Sequence, residues 1–510
     1  MPANQPPSLH GHDLFAENRP LAEALEREGG GPAAARCSAF GRELSGEPLE
    51  WGRLANEHPP QLRTHDRFGE RIDEVEFHPA WHELMRLSRA HGAHADDSEV
   101  VRSVLFYLAS QVEAGHGCPL STTHAAIPLV PAWEAGLRSR GYEPELRPLG
   151  AKKALAFGMS MTERQGGSDV RQNTTTARPG DGGWVLDGSK WFCSAPMSDG
   201  FLVLAQAPAG LSCFLVPRVL EDGTRNGFRI ERLKDKLGDR SNASAEIELA
   251  GARAELVGEE GRGVRTIVRM VVATRLDCVL GAAAGMRQAV EQATHHAVHR
   301  VAFGKLLVQQ PLMQNVLADL CLESEAATAT ALRLAGAAER GETAFARIAT
   351  PIAKYWVCKR GPGHAAEALE CLGGNGYVEE SGLPRVYRQQ PLLSIWEGSG
   401  NVVCLDVLRA LEREPESAEA LRAEIALAHD RDLDAAAEAA LAEREERGAR
   451  RLVERLAVCL QASLLLRHAP APVADAFLAA RVDAAGHAYG TLPRGTDAAA
   501  IVARHHPVSR

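Results

Sequence analysis

A single acid, Glu397, stands between the indole of Trp396 and the small run Gly398-Ser399-Gly400, with Pro391 before it and the apolar Val402-Val403-Cys404-Leu405 after it. Glycine lets a backbone approach a ligand closely or take positive φ, and a carboxylate beside apolar surface gains basicity. Residues 393–401 therefore suit a base pressed against something flat or phosphorylated. They equally suit an ordinary turn carrying a solvated acid.

Other stretches offer chemistry of a compatible kind. Met161-Thr162-Glu163-Arg164-Gln165-Gly166-Gly167-Ser168-Asp169-Val170 sets glycines before a hydroxyl and an acid. Such a loop can turn its N–H groups to a phosphate or a polar cofactor edge, or it is a plain glycine-rich turn. Lys190-Trp191-Phe192-Cys193-Ser194 reads as a stacking wall for a planar ring with a hydroxyl donor at Ser194, or as an aromatic core strand. Thr274-Arg275 lies in an apolar helical stretch, where the arginine needs a partner. Arg300-Val301-Ala302-Phe303-Gly304 ends a long helical pattern with a cation, able to bind pyrophosphate or to complement a helix C-terminus. Leu372-Gly373-Gly374-Asn375-Gly376-Tyr377 ends a later one, where a glycine cap is expected anyway.

The elements that must carry these residues follow from periodicity. Residues 1–50, rich in Pro, Gly and charge, read as a mostly irregular arm with one helical patch over 21–28. Residues 51–157 turn helical: Pro79 fits a first helical turn, and Val100, Val101, Val104, Leu105 and Leu108 share one face. Residues 158–257 break into short strands separated by Gly-Gly and Asp-Gly turns, a small antiparallel sheet or barrel. Residues 258–411 return to long helical runs, over 263–310, 312–336 and 343–372, of bundle length. Residues 412–510 form a helical extension with a Gly/Pro-rich tail. The expected fold class is mainly α with a central antiparallel β domain.

The totals exclude several functions. At 510 residues with 45% apolar and 24% charged content, the chain has the make-up of a multidomain soluble protein. A net charge of −9 removes an all-over nucleic-acid binder and leaves only a local basic patch. One exists: from Arg447 onward nine Arg face four acids. Arg447, Arg450, Arg451 and Arg455 fall at i, i+3, i+4 and i+8, one stripe on a helix, beside a buried face of Leu452, Leu456, Cys459 and Leu460. The stripe can neutralise DNA phosphates without reading bases, or it is a solvated face paired with Glu445 and Glu446. The ten cysteines are scattered without metal-ligand spacing, as in a reduced protein, so no metal is expected. The N-terminal residues lack a signal pattern and no apolar run spans a bilayer, which predicts a cytoplasmic protein with no membrane partner.

The order and spacing of T-E-x-x-G-G-S-D, K-W-F-x-S, T-R, R-x-x-F-G, L-G-G-N-G-Y and W-E-G-S resemble the acyl-CoA dehydrogenase flavoprotein superfamily across residues 155–410. The chain looks most like its AidB branch, associated with the adaptive response to DNA alkylation. The cues are M-T-E-R-Q-G-G-S-D-V, the run from Arg232 to Ser244, residues 394–409, Arg53-Leu54-Ala55-Asn56 and Phe77-His78-Pro79-Ala80-Trp81-His82, with the extra helical C-terminus. The resemblance implies an acyl-CoA dehydrogenase-like fold and FAD as cofactor. It implies that Met161, Thr162, Gly167 and Ser168 meet the flavin and its phosphates, and that Phe192 and Ser194 border the isoalloxazine. Arg300, Phe303 and the loop of Gly373, Gly374 and Gly376 would reach FAD across a subunit boundary, in a dimer of dimers. Trp396, Ser399 and Asn401 would flank or hold the flavin beside Glu397, the base that removes the proton α to a thioester carbonyl. Many family members carry Asp where this chain has Val272, and usually Gln where it has Glu370, departures that point away from tight CoA binding. Some place the base at the position of Thr274, which leaves Glu397 as the candidate here. Two functions are expected: dehydrogenation of a short or branched acyl-CoA or of a non-CoA substrate, and protective binding of double-stranded DNA through the Arg stripe and Arg409, with or without strong catalysis.

Overall fold

Strand signals between 157 and 257 become one seven-stranded sheet in a computed structural model of the chain, which describes residues 4–483 and 488–507. Its strands are β3 (Phe157–Ser160), β4 (Thr176–Gly180), β5 (Gly183–Ser194), β6 (Gly200–Ala207), β7 (Gly210–Pro217), β8 (Phe228–Leu233) and β9 (Ser244–Val257), after a separate hairpin of β1 (Gln61–His65) and β2 (Arg71–Glu76). The ladder runs β6-β4-β5-β9-β7 and returns to β6, so the sheet closes on itself like a barrel, with β8 added along β9. The expected all-antiparallel pairing is corrected at β3, which runs parallel to β6, and at the single β4–β6 pair. Both faces of β6 are covered. Phe201, Val203 and Ala205 pack with Phe214, Phe228 and Ile247, while Leu202 and Leu204 pack with Ile127, Leu137, Ile267 and Met270. A strand buried on both faces loses the alternation that marks a half-exposed one, and β6 accordingly reads as the continuous run F-L-V-L-A.

Backbone packing divides the chain into two units, one of Pro48–Asp97 and Glu113–Thr274, the other of Met1–Glu47, Ser98–Val112 and Arg275–Arg510. The first holds both sheets and the helices Pro79–His91 and Gly117–Ala126. Pro79 opens its helix as expected, His78 caps it by accepting from the Ala80 N–H at 3.2 Å, and Gly92 closes it at φ 91°. The hairpin β1–β2 lies where only helix was expected, because its alternation is short and mostly exposed.

The second unit is helical. The helix Glu99–Val112 is buried over all its residues from Val100 on, rather than on one face, because its polar groups find internal partners. Arg102 pairs with Asp277, Tyr107 Oη meets Thr328 Oγ1 at 3.1 Å, and Gln111 donates to Glu291 at 2.6 Å. The irregular arm expected over residues 1–50 is corrected: it contains the helices Arg19–Arg27 and Ala34–Leu44 and the start of Glu47–Glu57. Asn18 caps the first, whose Leu21, Ala24 and Leu25 are buried. Its glycines and charges masked a short amphipathic pattern. The long helix Gly263–His299 stops eleven residues before the expected end at 310. Phe303 (φ 52°) and Gly304 (φ 77°) then form a two-residue turn with both central φ values positive, joining β10 (Val301–Ala302) to β11 (Lys305–Leu306). Pro311–Glu339 and Thr343–Cys371 are single helices, as their periodicity predicts. Beyond Gly400–Arg413 follow Pro415–Ala426, Arg431–Ala442, Ala449–His468, Ala471–Phe477 and Ala498–His505. The last three residues of the expected tail lie outside the described residues. All ten cysteines are buried and unbridged, and among the described residues no helix is long and apolar enough to cross a membrane.

Candidate active site

Glu397 occupies the turn between the helices Leu383–Leu393 and Gly400–Arg413. Its φ is 60°, a conformation that a residue with a side chain keeps only when its surroundings impose it. Two cations impose it. Arg275 Nε donates to the Glu397 carbonyl at 2.9 Å, and Lys354 Nζ donates to the Gly398 carbonyl. Arg275 is itself fixed by Asp406, Nη1 to Oδ2 at 2.7 Å, and Asp406 also accepts from Arg347 at 3.2 Å. This is the partner that an arginine in an apolar helical stretch requires. Lys354 is 1% exposed beside the buried thiols of Cys278 and Cys358. Burial raises the Cys358 thiol to about 12, and Cys278 well above its ordinary value, with the Glu397 charge contributing. Neutral thiols leave the lysine charge directed at the turn. Gly398 must be glycine: its φ is 113°, and a Cβ would lie 3.0 Å from Val403 Cγ2 and 3.3 Å from Arg275 Nη2.

Around this turn the same unit gathers several expected residues. The Trp396 indole Nε1 is buried and makes no hydrogen bond. Ser399 is exposed at the start of Gly400–Arg413 and caps it with no side-chain bond. Asn401 Oδ1 accepts from Arg450 Nε at 2.8 Å. Arg300 follows the long helix and donates to the Asn4 carbonyl at 2.5 Å, while Asn375, inside the glycine loop, donates to Gln5 at 3.1 Å. One N-terminal dipeptide thus touches both the β10–β11 hairpin and the loop of Gly373, Gly374 and Gly376. Phe303 at the hairpin tip is 98% exposed and Tyr377 beside the loop is 82% exposed.

The remaining expected residues lie on β5 and on the loop that follows β3, in the other unit. Trp191 N–H donates to the Thr162 carbonyl at 2.8 Å, and Asn173 Nδ2 to the Met161 carbonyl at 2.9 Å, which ties the loop bearing Gly167 and Ser168 to β5. The acid of the motif is structural. Glu163 is 2% exposed and accepts from Lys190 Nζ at 2.7 Å, Thr175 Oγ1 at 2.6 Å and Thr174 N at 2.7 Å. Burial alone would raise its pKa, but the bonds from Gln165, Lys190, Thr174 and Thr175 outweigh it and hold the carboxyl well below the usual range. A Cβ on Gly167 would come 2.3 Å from Thr162 Oγ1, so glycine keeps that hydroxyl accessible. Along β5 the side chains alternate: Cys193 is buried, whereas Phe192 is 47% exposed. The strand therefore presents an aromatic surface instead of burying one, with Lys234 Nζ 3.7 Å from the Trp191 ring centre and 4.5 Å from that of Phe192. Breaking a buried ion pair from one side costs about 3–5 kcal/mol. Glu163→Ala is expected to destabilise the β domain by about that amount, and an unchanged thermal midpoint would show that the network carries no load.

The departures also have places. Val272 is 46% exposed, and Thr274 is buried with its hydroxyl returned to the Met270 carbonyl at 3.1 Å. Glu370 is exposed at the end of Thr343–Cys371. The arginine stripe is less uniform than its spacing suggested. Arg447 precedes the helix Ala449–His468 in a short 3₁₀ turn. Arg450 turns to Asn401, and Arg451 and Arg455 share Glu443 at 2.7 and 3.0 Å, in place of the expected Glu445 and Glu446. Arg409 lies 3.5 Å from Asp406. Leu452, Leu456, Cys459 and Leu460 are buried as expected. Sequence reasoning missed Lys354 and Asp406. The signal for Asp406 was an acid inside the apolar run V-V-C-L-D-V-L, whereas nothing local marked Lys354.

Three family models match the chain: the adaptive response protein AidB N-terminal domain over residues 4–144, the acyl-CoA dehydrogenase middle domain over 158–252 and the acyl-CoA dehydrogenase C-terminal domain over 261–412. AidB of Escherichia coli is 50% identical over 433 residues, 81% of this chain and 80% of that protein. The crystal structure of Caenorhabditis elegans ACDH-11 in complex with C11-CoA superposes with a TM-score of 0.82 at 26% identity, covering 99% of this chain and 92% of that one. An acyl-CoA dehydrogenase of Bacillus anthracis complexed with FAD shares the fold, with a TM-score of 0.62 at 19% identity over 78% of this chain and 76% of that one.

Proposed function

We propose, for a chain that belongs to the acyl-CoA dehydrogenase family and carries an AidB-type N-terminal domain, that it is an FAD-dependent oxidoreductase in which Glu397 is the catalytic base. The observation that carries this reading is the clamped turn. An acid at φ 60° is held through its own carbonyl by Arg275 and through the next by Lys354, beside an indole N–H that the protein leaves without an acceptor. A backbone fixed this firmly presents the carboxylate in one direction, as abstraction of a proton α to a thioester carbonyl demands. FAD, when bound, supplies the redox step by accepting the β-hydride, so that a Cα–Cβ double bond forms.

The residues present fit that cofactor. Met161, Thr162, Gly167 and Ser168 line an open loop whose glycine exposes the Thr162 hydroxyl, and Phe192 and Ser194 offer an aromatic face and a hydroxyl. Ser399 and Asn401 stand at the start of a fourteen-residue helix, where phosphate oxygens are favoured. The exposed Phe303 and Tyr377, with Arg300 and the Gly373, Gly374 and Gly376 loop, would serve the FAD of a second copy in a homo-oligomer. The acyl group is a short or branched acyl-CoA, or a non-CoA substrate, since Val272 and Glu370 stand at the departures from the family pattern. Protein purified without added cofactor should be yellow and release FAD on denaturation. A colourless protein that FAD cannot reconstitute would end this reading.

Duplex DNA binding in an alkylation-protection role, with catalysis secondary, is a second reading. It is supported by the exposed guanidiniums of Arg447, Arg450, Arg451 and Arg455 in an otherwise acidic chain, with Arg409 on the helix Gly400–Arg413 that also carries Asn401, the partner of Arg450. Binding of this kind weakens with salt by about 0.9 in log–log slope per phosphate neutralised. The double variant Arg447→Glu, Arg451→Glu spares Arg450, which holds Asn401, and should flatten the slope by about that amount per lost contact. An unchanged slope would move the surface elsewhere.

A further inference from the structure

β5 and β9 pair so that Ser194 lies opposite Ser244, and their hydroxyl oxygens are 3.3 Å apart. Lys236 extends this pair inward: its Nζ donates to Ser244 Oγ at 3.1 Å and to the Asn242 carbonyl at 2.7 Å. An ammonium has three donors and no acceptor, so the bond to Ser244 has one polarity. Ser244, which is 5% exposed, accepts from the lysine, and among the described residues Ser194 Oγ is the acceptor within reach of its own proton. The Ser194 oxygen then accepts, and its proton has no acceptor among the described residues. Lys236 is half-buried. Burial lowers its pKa against the pull of Asp239, whose carboxyl burial pushes up to about 7. Glu113, the other carboxylate near it, is occupied by His116, Asn56 and Ser241. The hydrogen bonds of the lysine go to Ser244 and to the Asn242 carbonyl.

We propose that Lys236, acting through Ser244, is a positioning residue that fixes Ser194 as a hydrogen-bond donor to the flavin nitrogen that takes the hydride. The proposal rests on the FAD reading above. That nitrogen carries a lone pair in the oxidised ring, so a hydroxyl locked as donor recognises it and sets the ring's register against β5. Without the lysine-led chain the Ser194 hydroxyl rotates freely and the contact loses its direction.

The test uses the full chain loaded with FAD labelled with ¹⁵N at this nitrogen. Its resonance reports directly whether a donor is bonded there and needs neither substrate nor Glu397. The parent protein should show the upfield position of a strongly bonded nitrogen. Ser244→Ala should move it downfield toward the unbonded position, Lys236→Met should move it the same way, and Ser244→Thr, which keeps the hydroxyl, should restore it. Should Lys236→Met fail to fold, the two Ser244 variants decide alone. An unbonded parent resonance, or a resonance that does not move in Ser244→Ala or in folded Lys236→Met, overturns the proposal while leaving the FAD reading intact. Failure of the parent to hold FAD overturns both.

Discussion

Glu397→Gln is expected to keep its fold and its FAD and to lose flavin reduction by acyl thioesters. A positioned general base contributes about 10²–10⁴-fold, and the rate of anaerobic flavin bleaching should fall by at least that factor. The amide matches the acid in size and makes the same demands at φ 60°, so Arg275 and Lys354 keep their carbonyl acceptors. A folding defect is therefore separable from a chemical one: FAD content and thermal midpoint should match the parent. Retained bleaching in Glu397→Gln would place the base on another residue. Thr274 is no substitute, since its buried hydroxyl is bonded back to its own helix.

Arg275→Met should be the next most damaging change, through the backbone that Arg275 holds. Its guanidinium joins the Glu397 carbonyl to Asp406, and methionine keeps much of its apolar length without either bond. Asp406 retains Arg347, so the variant does not leave a buried carboxylate alone. The turn, however, loses one of the two cations that impose its positive φ. Misplacing a reacting group by about 1 Å can cost about 10²-fold, and a fall of that order in flavin reduction at saturating substrate is expected. Substrate affinity should change much less. A variant with parental rate would mean that Lys354 alone fixes the turn.

Much of the candidate site is legible in the sequence, and the reasons are local. Glu397 stood out because its neighbours are the residue types that a tight turn near a ligand requires, and the barrel announced itself through Gly-Gly and Asp-Gly turns. What escaped was whatever depends on residues distant in sequence. Lys354 lies forty-four residues before the carbonyl it binds, in a helix whose own pattern gives it no purpose. Lys190 looked like the start of an aromatic strand and proved to be the partner of Glu163, twenty-seven residues earlier. The N-terminal helices were hidden by composition, and the β10–β11 hairpin by a Phe-Gly turn that lacks the usual Asn or Asp. The arginine stripe was visible as spacing, but its division between Asn401 and Glu443 could only be seen once the helices were packed.

The reaction proposed for this chain is removal of an α-proton with transfer of the electrons to FAD. Its most direct test is anaerobic mixing of the purified FAD-loaded protein with a panel of short and branched acyl-CoAs, nitroalkanes and alkylating agents, following the visible flavin absorption. Bleaching by at least one acyl thioester, abolished in Glu397→Gln, is the predicted result. A flavin that no member of the panel reduces, in a protein that holds FAD stoichiometrically, would contradict it.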